Sequence, residues 1–223
     1  MWWTKRKSTD HALKELADGL VSALGPKLNS VLLFGSRASG EFQEDRSDAN
    51  VFVLLEIMSP AALEAMSAPF RQWMKTGHPL PVFIQKSELQ TYADSLPIEF
   101  LDMKDHHRII VGSDPLSGLV VNPSGLRAQC MQELSVKLIK LRQAVLLAGE
   151  DEKKLRAILS GSQSSVRALY RAASRLDPQV PIDNDLVKRL KEVHVRRQTD
   201  NLKILSQDYL SGMERVLTYL HQK

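Results

Sequence analysis

Every strand-like segment of this chain lies in its first half. VLLFG at 31–35 and NVFVLLE at 50–56 are short, continuous apolar runs, followed by LPVFIQ at 80–85 and HRIIVG at 107–112. Runs as short and apolar as the first two fit strands buried on both faces of a sheet. Helical spacing fills the gaps. Leu13, Leu16, Ala17, Leu20, Val21 and Leu24 follow the N-cap types Ser8, Thr9 and Asp10, and Gly25-Pro26 ends that helix. A second helix runs from Pro60 to Lys75 and breaks at Thr76-Gly77-His78-Pro79, and a short third, capped by Ser87, reaches Ser95. The order helix, strand, strand, helix, strand, helix, strand predicts a small mixed sheet with helices packed on it.

Beyond Asp114-Pro115 and Asn122-Pro123-Ser124-Gly125 the character changes, and nothing from Leu126 onward reads as strand. Helices are expected over 126–147, from Glu150 or Asp151 to Leu176, from Asp183 to His194, and from Asp200 to His221. The last carries Leu202, Leu205, Tyr209, Met213, Val216, Leu217 and Leu220, an apolar stripe suited to a bundle. The fold class is therefore α+β: a mixed-sheet domain over 1–120 and an all-α bundle over 121–223, divided by the Pro- and Gly-rich linker.

A chain of 223 residues that is 43% hydrophobic and 25% charged is expected to be globular and soluble rather than disordered. Its net charge of +4 permits an anionic partner such as a nucleotide but is too modest to argue for nucleic acid. The single cysteine, Cys130, excludes an internal disulfide and a Cys-cluster zinc site, fits a reducing cytoplasm, and falls where a helix would bury it. The first twenty residues have no long apolar core after their basic residues, and no run approaches the ~20 apolar residues of a membrane span. Trp2 and Trp3 would be unusual exposed groups, a hint of self-association.

The connection between the first two strands carries the chemistry. In VLLFGSRASGEFQEDRSDANVFVLL, Gly35 and Ser36 end a strand where backbone N–H groups and a hydroxyl can meet phosphate oxygens, and Arg37 adds a charge. Eleven residues separate Ser36 from Asp48, which stands directly before the second strand. Strand, Gly-Ser, spacer, Ser-Asp-x-[acid], strand resembles the polymerase-beta-like nucleotidyltransferase superfamily, over about residues 10–114. The resemblance implies a nucleoside triphosphate held by Gly35, Ser36 and Arg37, and Mg²⁺ held by Asp48 and the residue two positions on. Positions 48 and 50 of a strand share a face, so both side chains would reach one metal pair. Such a pair bridges the triphosphate and activates an attacking hydroxyl, belonging here to a small-molecule or protein acceptor.

The sequence departs from that pattern twice. Position 50 is Asn, which offers a neutral carbonyl oxygen in place of a charge, and the third acid, expected on LPVFIQ, aligns with Pro81. Hard divalent cations prefer charged oxygen ligands, so a single catalytic acid, Asp48, is expected to hold them weakly. Glu99 is the foremost candidate replacement, because PIEF reads as extended beside the sheet. Glu56, Asp102 and the loop acids Glu41, Glu44 and Asp45 read as solvated or capping. The expectation is a nucleotide-binding protein with weak or lost transfer activity, with an active transferase using a relocated acid as the alternative.

The helical half resembles, in size and helicity alone, the bundles appended to aminoglycoside-modifying transferases. RLKEVH also places Arg189 and His194 at the loose spacing of the HEPN ribonucleases, which implies an RNA-cleaving or scaffold alternative. His106 and His107, adjacent in a strand, would point to opposite faces and so do not predict a metal site.

Overall fold

The computed structural model describes residues 8–35, 37, 38, 49–195 and 201–223. Trp2, Trp3, Ser36, Glu41, Glu44, Asp45 and Asp48 lie outside the described residues, as does the side chain of His194. The chain divides into two compact units, Met1–Ser95 with Glu99–Val120, and Leu96–Ile98 with Val121–Lys223.

The first unit holds helices α1 (Thr9–Leu24), α2 (Pro60–Met74) and α3 (Leu89–Ser95), most of α4 (Pro97–Asp105), and strands β1 (Leu28–Phe34), β2 (Asn50–Leu55), β3 (Val82–Gln85) and β4 (His107–Gly112). The strands form one sheet in the order β3-β2-β1-β4. β1 is antiparallel to both β2 and β4, while β2 and β3 are parallel. Alternation sends Val31, Leu33, Val51, Val53 and Leu55 to one face, packed with Leu16 and Leu20 of α1 and Met66, Phe70 and Trp73 of α2. Leu32, Phe52, Leu54 and Ile84 take the other face with Phe100 and Met103 of α4 and with Leu116 and Leu119. Both central strands are thus covered on both faces, which is why they read as unbroken apolar runs.

Three local expectations change. PIEF is helical rather than extended: Pro97, whose ring presets a helical φ, opens α4. The short third helix is entered through a 3-10 turn over Lys86–Glu88, capped by Gln85 and Glu88 in a reciprocal capping box rather than by Ser87. The third strand begins at Val82 instead of residue 80, because Pro81 has no N–H to give the ladder.

The second unit contains α5 (Pro123–Ala148), α6 (Glu152–Leu176), α7 (Asn184–Val195) and α8 (Leu202–Gln222). Asn122, Asp151 and Asn201 cap three of these helices through side-chain oxygens. Leu134 and Leu138 of α5, Leu159 and Leu169 of α6, Leu186 and Leu190 of α7, and Tyr209, Met213 and Val216 of α8 are buried. A β-carbon on Gly212 would lie 2.9 Å from Leu186, so the missing side chain lets α7 and α8 approach. No helix among the described residues is long and apolar enough to cross a membrane.

Candidate nucleotide-binding site

Gly35 ends β1 with φ +80°, a conformation open to glycine at little cost. Its N–H donates to the His106 carbonyl at 3.0 Å, and its carbonyl accepts from the Ala38 N–H at 2.9 Å, closing a turn that includes Arg37. The Gly35 amide is therefore committed to the sheet, and glycine serves here to shape the turn rather than to donate to a ligand. Arg37 is half-buried.

Asn50 opens β2 directly opposite Phe34, so it lies against the same turn. A β-carbon on Gly35 would stand 3.2 Å from the Asn50 Nδ2. The two ends of the connection between β1 and β2 are thus side by side, and Asp48 is two residues from Asn50 in the chain.

The neighbouring strand supplies no acid. Phe52 pairs with Val82 in the parallel register. Carried back two residues, that register sets Leu80 beside Asn50 on the same face, and Pro81 beside Val51 on the face covered by α1 and α2. Exposure agrees: Pro81 is buried, whereas Leu80 is 50% exposed and Val82, also on the Asn50 face, 49%. On that continued register the position sharing a face with Asn50 is Leu80, and neither it nor Pro81 carries a ligand atom in its side chain. Among the described residues, no three His, Cys, Asp or Glu side chains gather as a metal-binding group. Asn50 itself offers a neutral amide oxygen in place of a charge.

The remaining candidates sit elsewhere. Glu99 is exposed on the first turn of α4. Glu56 lies just past the far end of β2, where Asn29 and Lys86 bind its carboxylate and hold it below the usual range. Asp102 faces His106 at 3.9 Å, while the His107 Nε2 is 3.3 Å from Asp114 and its Nδ1 donates to the carbonyls of Met103 and Lys104. The adjacent histidines therefore serve two different carboxylates. Arg189 donates to Asp208 at 3.0 Å, fastening α7 to α8.

Sequence reading passed over His78, treating it only as part of a helix break. Its Nδ1 is 3.4 Å from the Ala49 N–H donor and its Nε2 is 3.3 Å from the Thr9 hydroxyl, while its ring stacks on Trp73 with centroids 4.8 Å apart. No local signal marks it, because its partners are remote in the chain.

No family model and no curated protein sequence matches the chain. Among solved structures, spectinomycin adenyltransferase AAD(9) from Enterococcus faecialis, with ATP and spectinomycin, is similar over 93% of this chain and 99% of that one, with a TM-score of 0.51 at 13% identity. The fold is that of a nucleotidyltransferase. It is the polymerase-beta-like nucleotidyltransferase fold with a helical region after it. Asn50 opens β2, at the position where the sequence resemblance leads one to expect an acid.

Proposed function

We propose that the protein binds a nucleoside triphosphate at the 35–37 turn and has weak or lost nucleotidyl transfer. The juxtaposition of Gly35 and Asn50 supports the reading: a glycine at positive φ ends β1, and the side chain beside it is a neutral amide. The Gly35 N–H is bonded to the His106 carbonyl, and the proposed phosphate contacts are the Ser36 hydroxyl and a charge-assisted bond from Arg37. Asp48 is the one acid retained from the expected set, as a weak Mg²⁺ ligand together with Asn50.

The same reading assigns the nucleotide to residues 1–120, the nucleotidyltransferase-like domain, with residues 121–223 as an α-helical bundle domain. The solved neighbour contains ATP and spectinomycin, which supports a small polar molecule as the second ligand. A single buried thiol fits a cytoplasmic location.

Calorimetric titration with ATP tests the binding claim. Wild type is expected to bind saturably, and Arg37→Ala to weaken binding about tenfold by removing a charge-assisted contact. Equal affinity in the variant would remove the phosphate from this turn.

A further inference from the structure

The first residues of β2 are tethered from behind the sheet. Ala49 is fully buried and precedes the first ladder pair, Phe34 with Asn50, so its N–H finds its bond outside β1. The acceptor is the His78 Nδ1. A buried amide without such a partner is costly, which makes this contact part of how β2 begins.

His78 is itself held in place by its surroundings. The Trp73 Nε1 donates to the Pro79 carbonyl at 2.8 Å, and the Thr76 and Gly77 N–H groups return to the Trp73 and Met74 carbonyls at 3.0 Å each. Gly77, at φ +90°, then turns the chain so that the His78 ring lies on Trp73. While Nδ1 accepts from Ala49, the Nε2 lies within hydrogen-bond distance of the Thr9 hydroxyl at the start of α1. One ring thus joins α1, the α2–β3 connection and the start of β2. Because Ala49 points into the α1–α2 core, Asn50 alternates to the opposite face and lies against Gly35.

We infer that His78 is a positioning residue for the nucleotide turn: it fixes the start of β2, and through it Asn50, which lies against Gly35. This rests on the nucleotide-binding reading above. The tether acts through one hydrogen bond, so its loss should cost ATP affinity about three- to tenfold while the fold survives.

The experiment compares wild type with His78→Leu, His78→Gln and His78→Asn by thermal unfolding, hydrogen exchange at the Ala49 amide, and ATP calorimetry. Asn keeps a polar atom near the Nδ1 position, whereas Gln extends toward Thr9 and loses it. His78→Leu and His78→Gln are expected to speed Ala49 exchange and weaken ATP, and His78→Asn to restore both to within about twofold of wild type. Should His78→Leu not fold, the Gln and Asn pair decides the question alone. ATP affinity unchanged in a folded Leu or Gln variant would overturn the inference and leave the nucleotide reading standing. A wild-type protein that binds no ATP would overturn both, and Ala49 exchange would still report on the tether.

Discussion

Asn50 lies against Gly35, its amide nitrogen 3.2 Å from where a β-carbon on the glycine would be. The parallel register begins at Phe52 with Val82, and continued back two residues it would set Leu80 on the same face beside Asn50. Charge can therefore be restored at this place with two changes. Asn50→Asp with Leu80→Asp is expected to raise Mn²⁺ affinity in the presence of ATP by about tenfold or more. Asn50→Asp with Pro81→Asp should gain less, because position 81 is buried on the opposite face. Equal gains from the two pairs, read by calorimetry, would show that the register does not continue past Val82.

Gly112 tests the sheet itself. It has φ +80°, and a β-carbon there would come within 2.1 Å of the Asn29 carbonyl oxygen, a backbone atom that cannot swing away. Gly112→Ala is expected to cost about 3 kcal/mol or more in urea denaturation. Gly149→Ala shares the positive φ, at +58°, but meets nothing within 4 Å, and should cost only about 1 kcal/mol.

Tyr219 of α8 donates to Asp177 at the end of α6 at 2.6 Å. That bond, followed by the Gln179 N–H, holds the Asp177 carboxyl below its ordinary range, and the same carboxylate pushes the Tyr219 phenol up. Asp177, with its depressed value, stabilises the fold above the ordinary carboxylate pKa, and loses that contribution as pH falls through the folded value. Tyr219, with its raised value, contributes below the ordinary phenol pKa and loses it as pH rises through the folded value. Tyr219→Phe should therefore move Asp177 upward in an NMR titration and lower the melting temperature most between about pH 5 and 9. A melting difference that persists unchanged into strong acid would contradict the pairing.

Cys130 is fully buried on α5, and burial pushes its thiol up to about 12. The native protein should resist thiol-specific labelling at mildly alkaline pH and react stoichiometrically once unfolded. Rapid labelling of the folded protein would show that α5 opens.

The fold was legible where the physics is local. Gly35 and the two apolar runs around it mark β1 and β2, and a chain with no strand pattern after Leu126 is helical there. Pro97 misled because a proline reads equally as a break or as the first residue of a helix, and only the burial of Phe100 and Met103 under the sheet decides it. The third position of the site was not legible for a different reason. Pairing between β2 and β3 is non-local, and a one-residue change of register exchanges the faces. His78 was invisible for the same cause: its hydrogen-bond partner Ala49 lies 29 residues away.

Binding without efficient transfer is decided by pairing ATP calorimetry with pyrophosphate release, in the presence of Mg²⁺ and with spectinomycin as a trial acceptor. Saturable ATP binding with pyrophosphate release well below about 1 s⁻¹ is the expected result. Turnover at about 1 s⁻¹ or faster would show that Asp48 works with an acid other than positions 50, 80 and 81 and would contradict the loss of transfer, and the absence of ATP binding would contradict the nucleotide site itself.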